Sequence, residues 1–131
     1  MTITATTAPL AFRRTLWAVQ IVLGLFMVVA SAAPKLVGEA NAVQTFDDMG
    51  AATWFRYFIG VVELAGGLGL LVPRLAGLAA VGLMLLMVGA FYTQVFILHG
   101  GAVAITPVVL FALFGFVAWG RRASIARLAH R

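Results

Sequence analysis

A single acid, Glu63, interrupts the apolar stretch FIGVVELAGGLGLLV, residues 58–72. The nearest cation along the chain is Arg56, at i−7. An ionised carboxylate in such surroundings costs several kcal/mol unless it is paired or hydrated, so it must turn away from hydrocarbon and toward partners inside the protein. On a helix, Arg56, Gly60, Glu63 and Gly67 fall along one stripe. The glycines at i−3 and i+4 either admit another helix to close range or leave room for water or a ligand. Ala65 and Gly69 repeat the small-xxx-small spacing on the adjacent face.

Few groups can answer that acid. Lys35 follows Pro34, and if the first apolar helix runs on through both, the ammonium reaches down toward Glu63. Arg56 lies about 10 Å away along the helix axis, which is long for direct contact. Gln94 and Thr93 belong to the outer half of a later apolar run, with Gln20 and Ser31 in the first. The expected constellation is Lys35, Arg56, Glu63 and Gln94, with Gly60 and Gly67 beside the acid and His99 at the rim. It admits three chemistries: a charge pair that fixes helix register, a ligand or proton site, or a protonated Glu63 hydrogen-bonded to a neighbour.

Other chemistries lack their residues. There is no cysteine, hence no thiol relay, thiolate metal site or iron–sulfur cluster. His99 borders an HGG turn and His130 sits in a basic tail, so neither supplies the inward imidazole that a haem between helices needs. Met84, Met87 and Phe91 read as packing or lipid-facing groups. No Walker loop, Rossmann turn, nucleophile elbow or HExxH is present. No catalytic residue is assigned and no metal is expected.

The elements that must position Glu63 follow from composition. The chain has 131 residues, 63% hydrophobic and 10% charged, with a mean hydropathy of +1.08. A soluble domain of this size has too much exterior to hide so much apolar surface, and lipid is the fitting solvent. Four apolar segments stand out, near residues 15–33, 54–72, 75–98 and 102–119. Each approaches the roughly 20 residues that cross a bilayer as a helix, and short links imply an all-α, antiparallel four-transmembrane-helix bundle. The first segment, with Arg13, Arg14 and small residues near Ala32, also has features of a twin-arginine leader. Its apolar run of about 19 residues exceeds the usual 7–15, and it is read as a span.

Arg13, Arg14, Arg74, Arg121, Arg122, Arg127 and Arg131 fall on one side of this arrangement. Lys35 and Arg56 fall on the other, offset by Glu39, Asp47 and Asp48. The positive-inside rule then puts both termini in the cytoplasm of a cell whose inner membrane holds the protein. Because the nine cations flank apolar runs and form no stripe, the pI near 11.2 does not point to nucleic acid. The long link PKLVGEANAVQTFDDMGAAT suggests a short interfacial helix ending near Gly50, with Val37, Ala40, Val43 and Phe46 on one face. Trp54, Phe55 and Tyr57 then form an aromatic belt. Pro107 is expected to bend the fourth helix, which starts near Gly101. Residues 1–12 are expected to lack fixed structure, residues 13–120 to form the membrane domain, and residues 121–131 to run as a basic helix among anionic headgroups.

Four stretches resemble a known family: APKLVG, FDDMG, WFRYFIGVVELAGGLGLLVPRLAGLAA and MLLMVGAFYTQ. They are similar to DoxX-like small membrane proteins over roughly residues 15–120. The resemblance implies a four-helix membrane bundle, with Lys35, Glu63, Gly60 and Gly67 at family-like positions. Members are linked to quinone-dependent thiosulfate oxidation, membrane oxidoreductase assemblies and, in animals, receptor assembly. The implied role is an accessory or assembly subunit of a membrane oxidoreductase, or a binder of a quinone-like lipid near Glu63. The expected partners are the bilayer, a membrane-protein partner or a second copy. Two rivals remain: a proton-coupled four-helix exporter, although such exporters carry their acid in the first helix, and a purely structural interaction protein.

Overall fold

The computed structural model describes residues 9–129. The expectations for the first eight residues, for His130 and for Arg131 lie outside the described residues. Among the described residues the chain is all-helical, with six helices and no strand. They are α1 Leu10–Val37, α2 Ala40–Asp48, α3 Thr53–Leu70, α4 Ala76–Ile97, α5 Gly101–Gly120 and α6 Arg122–Ala129. Three of them, α1, α4 and α5, are long and apolar enough to cross a membrane, at 28, 22 and 20 residues. The 18-residue α3 carries two buried charged residues, Arg56 and Glu63, among the described residues.

Helix α1 starts at Leu10, so residues 10–12 are helical where the sequence suggests no fixed structure. It continues through Pro34, which has no N–H to offer the carbonyl of Ala30. The turns ahead of it, Phe26–Ala32, widen to π geometry, with the N–H of Ala33 bonding the carbonyl of Val28. A shift to i→i+5 bonding lets the helix pass the missing donor without ending. Gly38 then takes a left-handed φ of 77°, and its N–H closes onto the carbonyl of Pro34, a glycine C-cap.

Glu39 starts the next helix, its carboxylate accepting the N–H groups of Asn41 at 2.9 Å and Ala42 at 3.1 Å. An acid at this end also meets the positive end of the helix dipole. The interfacial helix is present, but its inward face differs from expectation. Val37 closes α1 and is exposed, and Ala40 is exposed too, whereas Phe46 is buried. Phe46 packs 6.1 Å from Phe55, docking α2 on the start of α3. Pro107 also departs from expectation. A 3₁₀ turn, Gly101–Ala104, precedes the α-helical part of α5, and Pro107 sits buried in its first turn, where a missing N–H costs least.

The helices pack antiparallel where their glycines mark the contacts. A Cβ at Gly67 would lie 2.9 Å from Cγ2 of Val28 and 3.0 Å from the backbone oxygen of Gly24. At Gly60, further back along α3, a Cβ would lie 2.9 Å from Leu36. Residues later in α1 thus face residues earlier in α3. Leu83 of α4 packs on Gly66, and Leu16 of α1 packs on Gly120 of α5. The core between them includes Leu23, Met27, Leu70, Leu83, Phe114 and Val117.

A polar clasp holds the end of the bundle opposite α2. Gln20 is fully buried; its Nε2 donates to the carbonyl of Leu70 at 2.8 Å, and its Oε1 accepts from Nε of Arg121 at 2.6 Å. The Leu70 carbonyl is one of the orphan acceptors at the C-terminus of α3. The Arg121 guanidinium stands 5.1 Å over the Trp17 ring, and desolvation lowers its pKa from the ordinary value. Ser124 donates to the carbonyl of Arg121 at 2.8 Å, folding α6 back onto Gly77 of α4.

Gly67→Ala should lower the thermal unfolding midpoint in detergent, a cost of about 1–3 kcal/mol, because a backbone oxygen cannot move aside as a side chain can. Gly82→Ala, where a Cβ meets nothing within 4 Å, should be neutral or stabilising by up to about 1 kcal/mol. Equal midpoints for the two variants would show that α1 and α3 do not touch through Gly67.

Candidate functional site

Lys35 and Glu63 meet. The side chains leave α1 and α3 and bring Nζ to 2.9 Å from Oε1, with side-chain exposures of 19% and 6%. Nζ also donates to the backbone oxygen and the Oγ of Ser31, at 3.1 and 3.2 Å. Oε1 is buried and accepts no hydrogen bond among the described residues. The two facts are compatible: 2.9 Å is a full ion-pair contact, while the directional bonds of the ammonium run to Ser31. The charge is compensated and the acceptor capacity of the carboxylate is not filled.

Gly60 makes the meeting possible, since a Cβ there would lie 3.2 Å from Cβ of Lys35. Arg56, buried beside the ring of Tyr57, does not reach the acid. Its Nη1 donates to the backbone oxygen of Lys35, satisfying an orphan carbonyl at the end of α1 where a cation also favours the helix dipole. Arg56 therefore holds the backbone of the residue whose side chain neutralises Glu63.

Beside the pair lies a cavity of about 280 Å³. One wall is the α3 stripe Phe55, Ile59 and Glu63; the facing wall on α4 runs from Leu86 and Met87 past Gly89 and Ala90 to Gln94. Phe46 and Met49 of α2 cover the end near Phe55. Glu63 is two helical turns, about 12 Å, deeper than Phe55. Polar groups in the lining are few. The hydroxyls of Thr45 and Thr93 donate within their own helices, to Asn41 and Gly89 at 2.8 and 2.9 Å.

Gln94 lines the same cavity, in the π-helical last turn of α4, Thr93–Ile97. No side-chain hydrogen bond joins it to Glu63 among the described residues. Gly67 lies below the site, at the α1–α3 contact. His99 is exposed, with φ 52°, and is not part of the cavity wall. Ser31 was legible only as a polar residue near a helix end; its i,i+4 spacing to Lys35 was the signal that it anchors the ammonium. Phe46, Met49 and Met87 carried no such signal.

Long apolar helices around a buried ion pair define an integral membrane protein. The DoxX-like family model matches residues 18–117, and the chain belongs to that family. Among curated proteins and solved structures, none matches the chain.

Lys35→Met leaves a buried carboxylate without its cation and should destabilise the protein by about 3–5 kcal/mol, whereas adding Glu63→Leu should recover most of that loss. Thermal or denaturant unfolding of the single and double variants checks this. A single variant as stable as wild type would mean the two charges do not interact.

Proposed function

We propose that the protein crosses the inner membrane four times, with both termini cytoplasmic, and binds a hydrophobic, quinone-like ligand beside Glu63 as an accessory subunit of a membrane oxidoreductase. Helix α3 serves as the fourth span because Lys35 neutralises its acid and Arg56 is spent on a helix end. The cation distribution supports the orientation: Arg13, Arg14, Arg74, Arg121, Arg122 and Arg127 sit at one end of the helices, and Glu39, Asp47 and Asp48 at the other.

The observation that carries the binding role is the cavity itself. Its apolar walls close on a buried carboxylate with unfilled acceptor sites, the usual composition of a small-molecule site. A lipophilic-cation exchanger is less well supported, because Lys35 already occupies the position a cationic substrate would take.

The test uses Gly89, which lines the cavity and where a Cβ meets nothing within 4 Å. Protein purified in mild lipid should release a hydrophobic molecule other than bulk phospholipid on organic extraction, detected by mass spectrometry. Gly89→Phe should lose that molecule and keep the wild-type fold. A wild-type protein that carries and takes up nothing would remove the binding role.

A further inference from the structure

The cavity also says what kind of head group its occupant carries. A carboxylate offers about four acceptor sites and no donor. Here Oε1 faces Lys35 at 2.9 Å and accepts no hydrogen bond among the described residues, so the ion pair leaves most of that acceptor capacity unfilled. The ammonium directs two bonds to Ser31. Both threonine hydroxyls in the lining have given their protons to carbonyls one turn back, so toward the cavity they too are acceptors. Glu63 at the deep end therefore offers acceptors alone, while Gln94 on the α4 wall adds an amide that can donate or accept. A buried acceptor left without a donor costs free energy, more so when it is charged.

Charge narrows the class further. Lys35 and Glu63 together sum to zero, and a second cation placed against them would face Lys35 within a few ångströms in a medium that screens weakly. A carboxylate head would be repelled by Glu63. The complementary head is therefore neutral and donates a hydrogen bond.

We propose that the ligand is an apolar molecule with a neutral hydrogen-bond-donating head, an alcohol or phenol, seated with its hydroxyl on Glu63. This rests on the binding role given above and names the chemistry of that same site. For a quinone-type molecule, it selects the reduced, hydroxyl-bearing form, since a quinone carbonyl is itself an acceptor. Glu63 accepts a hydrogen bond from the hydroxyl, the proton staying on the ligand, and the body of the molecule lies along Ile59, Met87 and Ala90 toward α2.

The experiment compares two probes that differ in one donor, 4-hexylphenol and 4-hexylanisole, on the full chain in phosphatidylcholine nanodiscs. Saturable shifts of the unfolding midpoint give an apparent Kd for each. The phenol should bind roughly tenfold or more tightly than its methyl ether, as expected for a hydrogen bond to a charged acceptor. In the double variant Lys35→Met with Glu63→Leu, which retains a neutral, packed core, the two probes should bind alike. Equal affinities in the wild type would overturn the donor assignment while leaving the cavity a binding site. Failure of both probes, with Gly89→Phe indistinguishable from wild type, would overturn the binding role and this inference with it.

Discussion

The structure depends on two opposite charges being removed from water together. Glu63 sits among residues that hydrate nothing, and alone it would be expelled or neutralised. Lys35 makes its position tolerable, and Lys35 can do so only because α1 does not stop at Pro34. The π-helical turns Phe26–Ala32 carry the helix past the proline, and Gly38 ends it three residues after Lys35. Gly60 then lets the two helices come close enough for the 2.9 Å contact. Each step is ordinary, but the pair forms only when all are present.

Helix ends raise the same problem as buried charges. Their last carbonyls and first amides have no partner within the helix, and an apolar surrounding supplies none. Side chains, some local and some from another helix, meet several of these ends. Arg56 of α3 closes the end of α1, Glu39 opens α2, and Gln20 of α1 closes the end of α3. The capping of α1 and α3 is therefore reciprocal. Each places a polar side chain on the other's C-terminal turn, which fixes their relative depth as firmly as the packing of Gly24 on Gly67.

This explains what could be read from the chain beforehand. Isolation of Glu63 in an apolar run points inward on energetic grounds alone, and Lys35 was the nearest cation from another helix. The apolar runs, the interfacial helix and the start of α5 followed from length and periodicity. The π turns did not, because a 3.6-residue repeat has no place for an extra residue per turn. The inward face of α2 agrees with the expected one at Phe46 but not at Val37 or Ala40, because Gly38 ends α1 after Val37 and Ala40 opens α2 on its exposed side. The clasp of Gln20 with Arg121 spans 101 positions, and nothing local to either residue announces it. Arg56 was visible as a member of the stripe, yet its partner is a backbone oxygen, which side-chain chemistry does not flag.

Small residues show most clearly where sequence reading ends. Gly67 and Gly89 occur in similar apolar helices and read alike as packing positions. Around Gly67, the neighbouring helix leaves less than 3.1 Å to an added Cβ, so the absent side chain is contact between helices. Around Gly89, no atom lies within 4 Å, so the absent side chain is space. The difference comes from the opposite wall. Val28, Met27 and the Gly24 backbone fill the one gap, while Phe55, Ile59 and Glu63 line the cavity onto which the other opens. A glycine next to a closed surface builds stability, and a glycine next to a propped-open one builds a cavity. In this chain Gly67 follows the carboxylate by one turn of α3 and Gly89 lines the cavity that the same carboxylate borders, so the charge that needs tight packing to survive in lipid also sits beside a gap in that packing.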